Sequence, residues 1–326
     1  CDPMNYKKIG YGLLLLALLA APFAGAYPVF VMKLMCFALF ASAFNLLLGY
    51  TGLLSFGHAA FLGGAAYVAG HAIKVWQLTP EVGLLLGTLG AAALGWVFGV
   101  LAIRRQGIYF AMITLALAQM VFFLCLQAPL TGGEDGLQGV PRGKLFGLLD
   151  LRDDLTMYYV TLAIVVAAFL LIVRIIHSPF GQVLKAIKEN EPRSISLGYD
   201  TNRFKLLAFV LSAALAGLAG SLKTLVLGFA TLSDVHWTAS GQVILMTLVG
   251  GLGTLSGPLL GSALVVLLEN KIGEMGAWLA RLSGVEWFSS LGESVTLVTG
   301  LIFVLCVLAF RRGIMGELIA RLERKP

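Results

Sequence analysis

Between Leu34 and Ile73 the chain runs for roughly forty residues without a Lys, Arg, Asp or Glu, enough for about two bilayer crossings. The run is nevertheless interrupted. Gly49, Gly52, Gly57, Gly63 and Gly64 break it, and Asn45, Thr51, Ser55 and His58 place polar groups inside it. Hydrocarbon tolerates a broken helix only where the loosened backbone is buried in protein or borders a wet cavity. Two readings follow: the wall of a solute pathway, or a tight turn between helices whose small residues serve close packing.

Composition enters at this point because it names the solvent. The 326 residues are 59% hydrophobic and 12% charged, with a mean hydropathy of +0.90, whereas soluble domains carry about 25% charged residues. The expected fold class is an all-α polytopic membrane protein, a single transmembrane domain over 1–326. The net charge of +6 is no sign of a nucleic-acid partner, because the basic residues sit at helix ends, where membrane topology puts them. Cys1, Cys36, Cys125 and Cys306 have neither metal nor redox spacing and read as small hydrophobes.

Apolar runs predict spans near 9–26, 28–48, 54–73, 82–103, 107–128, 156–176, 205–229, 238–252, 257–273 and 294–310, about ten transmembrane helices. The stretches around Gly49 and Gly250 are candidates for re-entrant or discontinuous helix. With Lys7 and Lys8 in the cytoplasm, alternation puts about fifteen Lys/Arg inside and about six outside, and both termini inside. Cys-Asp-Pro before Met4 reads as an appended scar over residues 1–3, with Met4 the natural start. A secretory signal or a lipidated Cys1 has a similar pattern, but a first membrane helix lets the rest of the chain thread with consistent charge signs. Lys33 and Lys223 lie within two turns of predicted outer ends and are expected to snorkel.

Three further stretches stand out. The outer loop 129–155 contains Thr131-Gly-Gly-Glu-Asp-Gly136, whose glycines predict turns; it reads as a solvated loop or as a docking surface. The cytoplasmic loop 177–204 holds the most polar segment, Ser178 to Gly198. There Gln182 to Asn190 forms a short helix with Val183, Ala186 and Ile187 on one face, and Pro192 ends it or starts another. Such a helix rests on a membrane surface or docks in a partner's groove. Val235 to Leu268 repeats the opening theme, uncharged for roughly 34 residues and interrupted by Gly250-Gly-Leu-Gly-Thr-Leu-Ser-Gly-Pro258. Paired Gly/Pro-interrupted segments in the two halves point to a substrate site between them. Lys271 to Glu293, with Trp278, Arg281, Glu286 and Trp287, suits an amphipathic outer-interface segment, and 311–326 a short basic cytoplasmic tail.

Enzyme signatures are missing: no Gly-x-Ser-x-Gly, His-Glu-x-x-His or phosphate-binding Gly-x-x-x-x-Gly-Lys-Ser/Thr occurs. No metal site is expected. A lone membrane histidine usually packs or hydrogen-bonds, and of the four only His58 falls in the broken stretch. Glu269 is the one acidic residue in the central spans, too few for the intramembrane carboxylates of a proton- or sodium-driven carrier.

Asn45-Leu-Leu-Leu-Gly-Tyr-Thr-Gly-Leu-Leu-Ser-Phe-Gly-His-Ala-Ala-Phe61 resembles the signature of permease subunits of branched-chain amino acid ABC importers, LivM-type. Gly107-Ile-Tyr-Phe-Ala-Met-Ile-Thr-Leu-Ala-Leu-Ala-Gln-Met120, Thr131 to Leu137, Ser178 to Gly198 and Gly250 to Glu269 match in the same order. The resemblance implies half of a membrane channel in the bacterial inner membrane. Its partners would be a second, LivH-type permease, two ATP-binding cassette ATPases and a periplasmic substrate-binding protein. No cofactor is expected in this chain, since ATP and Mg would sit on the ATPases. It makes Ser178 to Gly198 a coupling segment, with Gly181, Ala186, Glu189, Asn190 and Gly198 as its expected contacts to the ATPase. For the substrate pathway the expected residues are Asn45, Gly49, Gly52, Ser55, Gly57, His58, Thr114, Gln119, Gly250, Gly253 and Gly257, because broken helix termini offer free N–H groups to a carboxylate. Urea or a short amide is the rival cargo; a self-sufficient carrier or channel, or an intramembrane enzyme, are rival classes.

Overall fold

Prolines and short polar residues fix where the helices begin. The computed structural model describes residues 3–23, 25, 27–283, 300–301, 303–305, 308 and 313–317. In order it holds α1 (Pro3–Ala20), α2 (Pro28–Thr51), α3 (His58–Lys74), α4 (Pro80–Ala102), α5 (Ile108–Gln127), α6 (Asp154–His177), α7 (Pro179–Glu189), α8 (Glu191–Ser196), α9 (Thr201–Leu227), α10 (Trp237–Gly250) and α11 (Gly257–Ser283). The helices α2, α4 and α7 start on a proline, whose missing N–H is an orphan there in any case. Asp153, Ser178, Asn190 and Asp200 cap α6, α7, α8 and α9 through their side-chain oxygens. The Thr156 hydroxyl and N–H together hold the Asp153 carboxyl below the usual carboxylate range.

The all-α membrane class holds, and α2, α4, α5, α6 and α9 are long and apolar enough to cross a bilayer. Of the expected count of about ten, with some helices re-entrant or discontinuous, the described residues hold these five long helices together with shorter ones. With 17 residues, α3 falls short of the roughly 20 that a crossing needs, and α10 with 14 falls further short. Both open or close on a broken stretch, so the chain spends part of each crossing in non-helical backbone. The expected boundary at 273 is absent: α11 continues to Ser283. Glu286, Trp287 and Glu293, most of the 294–310 span and most of the 311–326 tail lie outside the described residues.

At the centre stands α9, packed against α2, α3 and α4. The close approach depends on small residues. A Cβ at Gly220 would lie 2.0 Å from the Leu62 carbonyl oxygen, and one at Gly217 would lie 2.2 Å from Ala91 Cβ. Between membrane helices this backbone-to-backbone dispersion contact replaces the hydrophobic drive that lipid does not supply.

The connections alternate between two ends. One end gathers the α2–α3, α4–α5 and α10–α11 links with α7 and α8, tied together where Glu191 accepts from Gln106 Nε2 (2.8 Å) and pairs with Lys205 (2.5 Å). The opposite end carries 128–153, most of whose residues are exposed while a few pin it to the bundle. A two-stranded hairpin, β1 (Lys144–Leu145) and β2 (Leu149–Asp150), sits there, and Leu137 bridges Ala230 through both backbone bonds (2.9 Å each). Arg142 fastens this segment, meeting Asp154 at 2.5 Å and donating to the Val226 carbonyl at 2.8 Å.

Lys223 corrects the snorkelling expectation. Its ammonium is buried against Asp234, with the Phe37 ring centroid 5.3 Å away, and Asp234 also accepts from Thr231 Oγ1 at 3.0 Å. Lys33 Nζ stands 6.0 Å from the centroid of the same ring. Removing one partner of a buried pair strands the other charge at a cost of about 3–5 kcal/mol. Thermal unfolding in detergent is therefore expected to show Lys223→Met and Asp234→Leu each strongly destabilised, and the double variant recovered towards wild type. Additive losses in the double variant would mean the two charges are not coupled.

Candidate functional site

The α2 helix ends in a left-handed residue, Gly52 (φ +77°), whose N–H returns to the Leu48 carbonyl; only glycine takes that conformation without strain. Residues 52–57 then run non-helically to α3, and Leu53, Ser55 and Gly57 are buried. Every buried backbone group along such a stretch needs a partner. Thr114 Oγ1 on α5 accepts from Phe56 N–H (3.2 Å) and donates to the Ala111 carbonyl (2.9 Å). Ser55 Oγ accepts from Gly57 N–H (3.1 Å). Ser240 on α10 accepts from Ala59 N–H (2.8 Å) and donates to the Phe56 carbonyl (2.7 Å), capping α3 from another helix.

The second break joins the first. Residues 251–256 link α10 to α11, and the Asn45 side chain holds them: Oδ1 accepts from Gly253 N–H (3.0 Å) and Nδ2 donates to the Thr254 carbonyl (2.9 Å). This side chain lies across Gly49, where a Cβ would fall 2.3 Å from Asn45 Oδ1 and 2.8 Å from Gly253 N. Gly250, Gly257 and Gly261 let α10 and α11 meet backbone to backbone. A Cβ on Gly250 would stand 1.9 Å from the Gly257 carbonyl oxygen, and one on Gly261 1.8 Å from that of Met246.

His58 sits at the start of α3, fully buried and ringed edge-on by Phe44, Phe61 and Phe209 at centroid distances of 4.9, 5.5 and 6.1 Å. Ser212 Oγ donates to the Ala43 carbonyl (2.6 Å), so it accepts from His58 Nε2 (2.9 Å), which fixes the imidazole with its proton on Nε2. The histidine thus ties α2, α3 and α9 together in a dry setting. Gln119 lies half-buried on α5 and roughly 140° around the helix from Thr114.

A cavity of about 450 Å³ opens beside the first break. Gly52, Leu53, Leu54 and Phe56 form one wall, and Gly107, Ile108, Phe110, Ala111, Met112 and Leu115 at the start of α5 the other, so the lining is almost wholly apolar. Gly52 is the one expected pathway residue on this wall. Ser55 and Thr114 hold the backbone of this stretch in place, while Asn45 holds the second break. From the cavity onward α5 presents Ile108, Tyr109, Met112, Met120, Phe123 and Leu124 outward, each more than half exposed, Ile108 and Met112 among them lining the cavity.

In the polar segment, α7 buries Gly181, Leu184 and Ile187. The expected apolar face is therefore corrected: Val183 is half-buried and Ala186 exposed, because the buried stripe follows Gly181 at spacings of three. Gly181 packs at the α6–α7 elbow, where a Cβ would meet the Ile176 carbonyl oxygen at 2.3 Å. Ala186, Glu189, Asn190 and Gly198 are exposed, with Asn190 also serving as the cap of α8. Pro192 opens α8 rather than merely ending α7. Beside them the apolar Ile195 and Leu197 stand 57% and 68% exposed. Lys188 Nζ donates to the Gly49 carbonyl at 2.7 Å.

Sequence reasoning did not assign Ser212, Ser240, Thr254 or Lys188 a role at the site. Each contributes through a bond spanning more than a hundred residues, and no local pattern encodes such a partner.

The chain matches the family described as "Branched-chain amino acid transport system / permease component" over residues 29–309. It is 30% identical over 261 residues to the high-affinity branched-chain amino acid transport system permease protein LivM of Escherichia coli K12, covering 72% of this chain and 60% of that one. The Salmonella typhimurium LivM is 29% identical over 292 residues, 80% of this chain and 67% of that protein. The E. coli LivH permease protein is 25% identical over 251 residues, 72% of this chain and 80% of its own length. The match thus spans about 60% of the length of the E. coli LivM relative. No solved structure matches.

Proposed function

Since the chain belongs to the branched-chain amino acid transport permease family and resembles its LivM-type members, we propose that it is one membrane half of an ATP-driven importer of branched-chain and other hydrophobic amino acids. In this reading it lies in the bacterial inner membrane as a single permease domain over 1–326. It pairs with a LivH-type permease, receives substrate from a periplasmic binding protein, and is driven by two ATPases that carry the ATP and Mg. It performs no chemistry of its own.

The observation that carries the reading is the meeting of three parts at one point: both broken stretches and α7 converge on Gly49. Partner ATPases would seat on the exposed residues of α7 and α8, Ala186, Glu189 and Asn190, with Ile195 and Leu197 beside them. Substrate would pass the cavity at Gly52 to Phe56, whose apolar lining suits an aliphatic side chain better than urea or a short amide. The open side of that cavity and the outward apolar face of α5 fit closure by the second permease. Rearrangement would be a hinge or shear movement of short helices about the two breaks.

Proteoliposomes decide between the readings. With both permeases, the ATPases and the binding protein, ATP-dependent accumulation of labelled leucine is expected, and the permeases alone are expected to be inert. Flux without ATPases would make the chain a carrier. Accumulation of urea in preference to leucine would replace the cargo while keeping the machine.

A further inference from the structure

Resting on that reading, we infer that Lys188 is a positioning residue that transmits movement of α7 to the substrate-side break, by holding the carbonyl of Gly49 at the end of α2.

The last carbonyls of an α-helix have no partner within it. In α2 the Leu48 carbonyl is taken by Gly52 N–H, and Gly49 turns its own to Lys188 Nζ at 2.7 Å. A cation there also meets the negative end of the helix dipole. The lysine stem runs along the break itself, with Lys188 Cγ 3.3 Å from where a Gly52 Cβ would be. One turn earlier, Lys185 Nζ stands 5.8 Å from the Tyr50 ring centroid, so two residues of one α7 face grip the last turn of α2. The same side of α7 buries Gly181 and Leu184, each within about 40° of Lys188 around the helix, and Ile187 beside them in the body of the protein.

What lies under Gly49 makes this more than a cap. Asn45 Oδ1 sits against Gly49 and holds Gly253 N–H, and the Gly49 carbonyl oxygen lies 3.3 Å from where a Gly253 Cβ would be. A displacement of α7 by a docked ATPase would pull one carbonyl, and that carbonyl belongs to a residue wedged between both breaks. A lysine bond is suited to this, since it is charge-assisted and directional while its long stem tolerates a small tilt.

The test uses the assembled transporter in proteoliposomes and reads leucine taken up per ATP hydrolysed. Lys188→Met is expected to keep the ATPases bound on co-purification and to keep hydrolysis stimulated by the binding protein. Uptake per ATP is expected to fall about tenfold, the loss of one charge-assisted bond, with most of it restored in Lys188→Arg. An unchanged ratio in Lys188→Met would overturn the inference. So would loss of hydrolysis and uptake in parallel with loss of bound ATPase, which would make Lys188 a docking residue. Should Lys188→Met fail to assemble, Lys188→Gln keeps a neutral donor, and a wild-type ratio in that variant would equally overturn the need for the charge. Wild-type vesicles that show no ATP-dependent uptake would instead sink the importer reading, a separate outcome.

Discussion

Gly261→Ala is expected to abolish uptake and to lower the thermal stability of the detergent-solubilised protein. A methyl group at this position would lie 1.8 Å from the Met246 carbonyl oxygen and 2.9 Å from Gly250 N. Both obstacles are backbone, so no rotamer change relieves them. The two helices must separate by an ångström or more, and overpacking of this kind costs about 1–3 kcal/mol, occasionally more. Separation also lifts the 251–256 link away from Asn45, so function falls further than stability does. Gly241→Ala is the matched control, since nothing lies within 4 Å of its Cβ position on α10. A melting temperature and uptake rate in Gly261→Ala equal to those of Gly241→Ala would mean that the α10–α11 crossing is looser than described.

The second large effect is expected at Asn45. Truncation to alanine removes a donor and an acceptor together and leaves Gly253 N–H and the Thr254 carbonyl facing protein, at about 1–3 kcal/mol for each unsatisfied group. Uptake in whole vesicles is expected to drop at least about tenfold at equal protein in the membrane. Asn45→Asp separates the two bonds. It keeps an acceptor for Gly253 N–H but turns an oxygen onto the Thr254 carbonyl in place of the amide donor, so it is expected to be no better than alanine. Asn45→Gln, which retains both groups on a longer arm, should recover part of the rate. Wild-type transport in Asn45→Ala would remove the side chain from the coupling of the two breaks.

Much of this architecture is legible in the residues themselves. Uncharged runs broken by glycine mark both interrupted stretches, and a polar segment with amphipathic spacing marks α7. Those signals are local, which is why they survive in a single sequence. The purpose of the polar residues in the breaks is not local. Asn45, Ser55, His58 and Thr114 belong to a region that sequence reasoning assigns to a pathway; in the fold Asn45, Ser55 and Thr114 bond backbone groups and His58 the Ser212 hydroxyl, with Asn45 binding 208 and 209 residues away, Thr114 58 away and His58 154 away. Lys223 was opaque for the same reason. Its counter-charge Asp234 lies just 11 residues on, but in a turn whose return towards α9 no periodicity announces.

The cap that Ser240 places on α3 has a consequence for how the protein is made. The hydroxyl that completes Phe56 and Ala59 comes from a residue 181 positions beyond Ala59. During synthesis that partner does not exist until the helices between α3 and α10 have been made. The stretch between α2 and α3 therefore gains this hydroxyl late, once α10 has been made and has packed back onto α3.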